Sequence, residues 1–210
     1  MNCVVQLKAD GCEVWNGEQF QTVDQGRVAA LFGLKPEQVK LNMLYAGGSF
    51  GRRASTHSDY VLEAAHIVKA INGKAPVKLV WLREDDMRGG YYRPLFHHAL
   101  EAALDGSGKL VGWHHRLVGQ SILTGSPFEA MMVKDGIDHV SVEGASNLPY
   151  AIPNLLVDLH TPTDIGVPVL WWRSVGSSHT AYSTEVFLDQ VAAAMGQDPV
   201  ALRLELLTDH

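Results

Sequence analysis

Cysteine is scarce in this 210-residue chain: Cys3 and Cys12 are the only two, with eight residues between them. That spacing is neither a CxxC metal pair nor part of a disulfide framework, so both are expected as ordinary core residues. Long apolar runs are missing too, and no stretch approaches the roughly 20 residues that span a bilayer. No signal-like leader opens the chain, which starts abruptly on a strand-like segment. There is no excess of positive charge either. Lys and Arg number 17 against 23 Asp and Glu, and a formal net charge of −6 offers no field for a nucleic acid partner. Binding of a cofactor-sized anion stays open, because it needs only local donors. Internal repeats, low-complexity tracts and linkers are absent as well. What remains is a chain of 46% hydrophobic residues, enough for one large domain or two intimately packed small ones.

Patterning predicts a mixed α+β domain over residues 1–210. Residues 3–7 and 12–15 read as strands joined by the turn Lys8-Ala9-Asp10-Gly11. A helix over 24–34, closed by Gly33, precedes a strand over 39–45. Thr56-His57-Ser58-Asp59 resembles a capping box for a helix carrying Val61, Ala64, Ala65, Val68 and Ile71 on one face. Residues 77–82 form the next strand candidate. Asp105-Gly106-Ser107-Gly108 is a hairpin turn between strands over 95–103 and 110–118. A helical turn or two over 129–133 and strands over 155–160 and 169–172 follow. The C-terminal part reads as a helix over 178–195, capped by Ser177 or Ser178, and a second helix opened by Asp198-Pro199 and running to about 207.

Three segments carry candidate chemistry. Gly47-Gly48-Ser49-Phe50-Gly51-Arg52-Arg53 lies between a strand and a helix. Its glycines let the backbone approach a ligand and turn neighbouring amides toward an oxo group or phosphate, with Arg52 and Arg53 adding charge-assisted bonds. The same run also reads as a tight turn with a solvated basic pair, and it matches neither GxGxxG nor a Walker A loop. Trp171-Trp172-Arg173-Ser174-Val175-Gly176-Ser177-Ser178 likewise joins a strand to a helix N-terminus, where free amides favour negative charge. Gln19 offers a neutral amide able both to donate to and to accept from a bound oxo group; alone, it is an unremarkable loop residue. Histidines occur as His97-His98 and His114-His115. Neighbours on a strand face opposite ways, so neither pair chelates, but one His from each can meet across the hairpin and leaves a zinc hydrolase as an open reading. Residues 83–87 read as a charged helix start.

Taken in order, these segments resemble the large subunit of the xanthine dehydrogenase and aldehyde oxidase family. The likeness is greatest to its isoquinoline 1-oxidoreductase beta subunits and bacterial membrane-associated aldehyde dehydrogenases. It rests on residues 12–15 with Gln19, on 47–53, 76–87, 116–121 and 171–177, and on 198–203. It extends over all 210 residues but over only part of such a subunit. The resemblance implies a molybdopterin-binding domain of mixed sheets, holding molybdenum on a cofactor usually in the cytosine dinucleotide form. It implies that Gln19 meets the apical oxo ligand, that Gly48, Ser49, Phe50 and Gly51 form the loop nearest the metal centre, and that Arg173 lies in a second cofactor-facing loop. It also implies that no side chain of this chain ligates the metal directly.

Val175 stands where relatives often place a substrate-stacking phenylalanine, and Ala54 where purine hydroxylases carry a glutamate. Ile122-Leu123 lies near their substrate-clamping arginine. A purine is therefore disfavoured, and an aldehyde or a less polar N-heterocycle expected. The implied reaction is oxidative hydroxylation with water as oxygen source, electrons leaving through iron–sulfur clusters on a small partner subunit. The family's catalytic glutamate lies near the C-terminus of the subunit. Glu205 sits in the wrong context for it, so no catalytic residue is assigned here, and the chain alone is expected to be an inactive part of an enzyme that binds no molybdenum tightly. The competing reading is a stand-alone scaffold that keeps the fold without the chemistry. Localisation in, or facing, the periplasm is implied by resemblance alone.

Overall fold

The computed structural model describes residues 1–207, which divide into two compact units: residues 1–92 with 170–172, and residues 93–169 with the chain from 173 on. In the first unit, β1 (Asn2–Leu7) and β2 (Cys12–Asn16) make an antiparallel hairpin with Leu7 opposite Cys12. Alternate residues Cys3, Val5, Cys12 and Val14 are buried, as a period-two pattern demands, and both cysteines are free thiols. Helix α1 (Gln21–Phe32) leads into β3 (Val39–Met43), parallel to β2. Helix α2 (Asp59–Ala70) leads to β4 (Val77–Val80), which pairs with β1 at the other edge. The sheet order is therefore β3-β2-β1-β4. Val61, Ala64, Ala65 and Val68 recur at helical spacing on α2 and are fully buried. With Val28 and Ala29 of α1 they pack on Cys3, Val5, Cys12 and Val14 of the hairpin.

Helix α1 starts at Gln21 and ends at Gly33, whose φ of 69° is the left-handed cap expected there. The capping box of α2 does not form. Ser58 itself is left-handed (φ 52°) and makes no side-chain cap bond; its hydroxyl is buried beside Asp24 instead. Helix α3 (Arg83–Gly89) matches the charged helix start, with Asp85 accepting from the Leu82 N–H at 2.8 Å.

In the second unit, β5 (Phe96–Leu104) and β6 (Leu110–Gly119) form the expected hairpin, its turn held by Asp105 accepting from the Ser107 N–H at 2.8 Å. A one-turn helix α4 (Glu129–Met132) and the short pair β7 (Val133–Lys134) and β8 (Ile137–Asp138) precede β9 (Asn154–His160), which lies parallel to β6. Helix α5 (Ser177–Met195) and helix α6 (Pro199–Leu206) place Leu188, Val191, Ala192, Leu202 and Leu206 against Leu110 and Trp113 of β6. Asp198 caps α6 by accepting from two backbone amides, as its Asp-Pro start implies.

Two further expectations fail. Residues 169–172 form no strand, and neither serine caps α5: its N-cap is Gly176, while the Ser178 hydroxyl donates backwards to the Val175 carbonyl at 2.6 Å. Among the described residues no helix is long and apolar enough to cross a membrane.

Candidate functional site

In the first unit, the end of β3 feeds the glycine loop. Gly48 (φ 126°) and Gly51 (φ 99°) adopt backbone conformations that favour glycine, and their missing side chains are required as well. A Cβ on Gly48 would stand 2.6 Å from the Phe50 ring, and one on Gly51 would stand 3.0 Å from the Trp171 carbonyl oxygen. Phe50 is itself left-handed at φ 55°, a conformation uncommon for a residue with a side chain and one that concentrates at functional sites. Ala54 is buried, with its N–H closing a turn on the Gly51 carbonyl at 3.0 Å. Gly51→Ala is expected to destabilise the protein by roughly 1–3 kcal/mol, since no relaxation relieves both the φ and the contact with backbone. An unchanged urea midpoint would count against this reading of the loop.

Gln19 reaches the loop from the segment after β2. Its side-chain oxygen accepts from the Gly51 N–H at 3.1 Å and from the Ser49 hydroxyl. A backbone N–H can only donate, so the atom it meets must be the amide oxygen. The amide nitrogen is then the outward end, and no described residue occupies it. Gln19, Ser49 and Gly51 are thus brought together, with Gly48 and Phe50 in the same loop. The sequence allowed Gln19 both to donate and to accept; the geometry leaves donation.

The first arginine of the basic pair after the loop is neither solvated nor free for a phosphate. Arg52 is only 4% exposed; it pairs with Asp59 at 2.7 Å and lies over the rings of Trp81 and Tyr91. Acids from α2 and α3 reach it, Asp86 at 3.7 Å, so its charge is consumed inside the fold. Arg53 donates to Asn16 Oδ1 and Asn2 Oδ1, both at 3.0 Å. These are neutral partners, and its guanidinium borders a cavity of about 340 Å³ that Lys78 also lines.

From Arg173 on, the second loop belongs to the second unit. Arg173 is exposed, and its carbonyl accepts from Arg93 at 3.3 Å. Ser174 and Val175 are left-handed at φ 68° and 41°, which is costly for a β-branched side chain. Val175 is 38% exposed, so it is available to a ligand but offers no ring for stacking. Ile122 and Leu123 are buried. Glu205 lies on the exposed side of α6, bonded by Gln197 at 3.1 Å.

A family model described as a molybdopterin cofactor-binding domain matches residues 1–207. The chain belongs to that family. This molybdopterin cofactor-binding domain is 32% identical over 208 residues to the isoquinoline 1-oxidoreductase subunit beta of Brevundimonas diminuta, covering 97% of this chain and 26% of that protein. It is 30% identical over 208 residues to a membrane-bound aldehyde dehydrogenase (pyrroloquinoline-quinone) of Gluconacetobacter polyoxogenes, covering 93% and 26%. The chain therefore spans about a quarter of the length of these relatives. Quinoline 2-oxidoreductase from Pseudomonas putida 86 shares the fold with a TM-score of 0.77 at 19% identity, over 96% of this chain and 25% of that one. The fold is thus the mixed α+β one expected, that of molybdenum hydroxylases.

Residues of the first unit fit the family's cofactor at one point that the geometry fixes. Gln19 presents a neutral donor at a glycine-lined surface, which is the chemistry an oxo acceptor requires.

One group of ionisable side chains escaped the sequence reading, and a second was foreseen only in part. Glu18, next to Gln19, is 8% exposed, and neither carboxylate oxygen has a hydrogen-bond partner. Burial, then the nearby Asp24, pushes its carboxyl up to about 7; burial likewise raises Asp24 to about 6. In the second unit, His98 and His115 do meet across the hairpin, at 2.8 Å, and His179 of α5 adds a third ring at 3.3 Å from the other nitrogen of His98. The result is a hydrogen-bonded chain that uses both nitrogens of His98. Among the described residues no group of three or more His, Cys, Asp or Glu is placed to hold a metal ion, which leaves the zinc reading without support.

Proposed function

We propose that residues 1–210 act as one cofactor-binding domain of a molybdenum hydroxylase that oxidises aldehydes or hydroxylates N-heterocycles with water as oxygen source. The observation that carries this reading is the Gln19 amide, held by the glycine loop with its nitrogen outward. When bound, the cofactor supplies the redox chemistry, taking electrons from the substrate carbon and passing them to iron–sulfur clusters on a partner subunit. Gln19 donates to an acceptor atom of that group, and Gly48, Phe50 and Gly51 shape the adjoining wall. Ala54 carries no charge at the place where purine hydroxylases carry a glutamate, which favours a less polar substrate, in line with the isoquinoline and aldehyde names of the relatives. The cofactor proposed is molybdopterin in its cytosine dinucleotide form. The remainder of the large subunit closes the site and brings the proton-accepting residue.

The test uses the full-length subunit expressed with its iron–sulfur partner. Gln19→Ala is expected to lower molybdenum content roughly two- to tenfold, the equivalent of one hydrogen bond. A fully loaded Gln19→Ala enzyme of unchanged activity would remove this role.

A further inference from the structure

We propose that Ser49 is a positioning residue: its hydroxyl, together with the Gly51 N–H, occupies the amide oxygen of Gln19 and so makes this side chain a donor only. The inference rests on the cofactor reading above and names what enforces it. A carbonyl oxygen has two lone-pair directions. Here one accepts from a backbone N–H and the other from a serine O–H, so nothing is left to accept a proton from a ligand. The Gly51 N–H sets which end of the amide faces the loop, because it cannot reverse its role. It leaves the side chain on a single tether, however, about which the amide plane can swing. Ser49 supplies the second tether from two residues away. It can do so because Phe50 takes up the positive φ between them and brings both donors to the same oxygen.

The half-buried Ser49 hydroxyl spends its one proton on Gln19, so it is not itself a donor to the cofactor. The site therefore selects for an acceptor atom. It is indifferent to charge, since both Gln19 and Ser49 are neutral, and it disfavours any ligand atom that carries its own proton toward Gln19.

The experiment compares Ser49→Ala, Ser49→Thr and Gln19→Ala in the full-length subunit with its iron–sulfur partner. Molybdenum content and the molybdenum–oxo stretching frequency by resonance Raman are the readouts. Ser49→Ala is expected to lower molybdenum content roughly two- to fivefold, the loss of one neutral hydrogen bond. It should also move the stretching frequency in the same direction as Gln19→Ala. Ser49→Thr keeps the hydroxyl and should restore both. A purely structural serine would lower the yield of folded protein without moving the frequency. If Gln19→Ala shifts the frequency while Ser49→Ala leaves it at the wild-type value, the positioning role is overturned and the Gln19 reading stands. If neither substitution alters frequency or content, both fail together.

Discussion

Replacing Glu18 by glutamine should stabilise the first unit at pH 8 by on the order of 2–3 kcal/mol. Burial costs a carboxylate heavily unless donors surround it, and no donor lies within hydrogen-bond distance of either Glu18 oxygen. Its folded-state pKa is raised from the usual 4.5 to about 7, first by that burial and then by repulsion from Asp24, while the Asn16 amide offsets part of the cost. Below about pH 4.5 the group is protonated in both folded and unfolded chains, so its contribution is fully favourable there. As pH rises toward 7 the unfolded chain loses the proton that the folded one keeps, and stability declines. Above about 7 the loss is complete, near 3 kcal/mol at most for a shift of this size. Glutamine has the same shape and no charge to bury. Urea midpoints for the two proteins should coincide near pH 4 and separate steadily to pH 8. Parallel curves across that range would refute the account.

Acid should act in the opposite sense on the second unit. His115 is fully buried, and burial is the first cause of its pKa being pushed down to about 4, with His98 and His114 adding repulsion. His179, stacked on Phe96 with ring centroids 3.8 Å apart, is likewise pushed down to about 4 by burial and by His98 and His115. These imidazoles stay neutral in the fold while an unfolded chain protonates them near 6.5. Stability is therefore intact above about pH 6.5, falls as protons become available below it, and is fully lost by about pH 4. The two groups repel each other once charged, so their effects do not add. A combined loss of roughly 3–5 kcal/mol is expected. The buried Nδ1 of His115 has no partner, and a bare acceptor there costs less than an orphaned N–H. The proton on Nε2 then points to His98, and the chain of donors runs outward to His179. Hydrogen exchange of β6 amides, corrected for intrinsic rates, should lose protection between pH 6.5 and 4. In His115→Leu the slope of stability against pH should fall by up to about 1.4 kcal/mol per pH unit. Full protection of β6 in the wild-type protein at pH 4.5 would sink the idea.

What the sequence made legible was local or periodic. The hairpin around Asp105-Gly106, the stripe on α2, the Gly33 cap and the Asp198-Pro199 start each depend on neighbours a few residues away. Errors came where a distant partner overrode a local rule. Ser58 fits an N-cap pattern, yet it takes a left-handed φ and its hydroxyl is buried near Asp24 without capping the helix. Arg52 looks like half of a solvated pair until Asp59 and Asp86 converge on it. Residues 169–172 have the composition of a strand, but the Leu170 N–H bonds the Tyr92 carbonyl and the tryptophans follow no ladder. At the candidate site the order of segments picked out Gln19 and the glycine loop. It did not show that Ser49 holds Gln19, because that bond joins positions 30 residues apart.

The buried ionisable groups are sorted by sign: the desolvated carboxylates Glu18 and Asp24 in one unit, the imidazole chain in the other. Between about pH 4.5 and 6.5 the first set releases protons on unfolding and the second takes them up. A calorimeter or a denaturant titration that averages over the chain sums two opposed proton fluxes and returns a nearly level trace. That plateau is mutual masking, and cutting either set by substitution would tilt it. Glu18→Gln should leave a protein that visibly weakens in acid, and removal of the histidine chain one that visibly weakens in alkali.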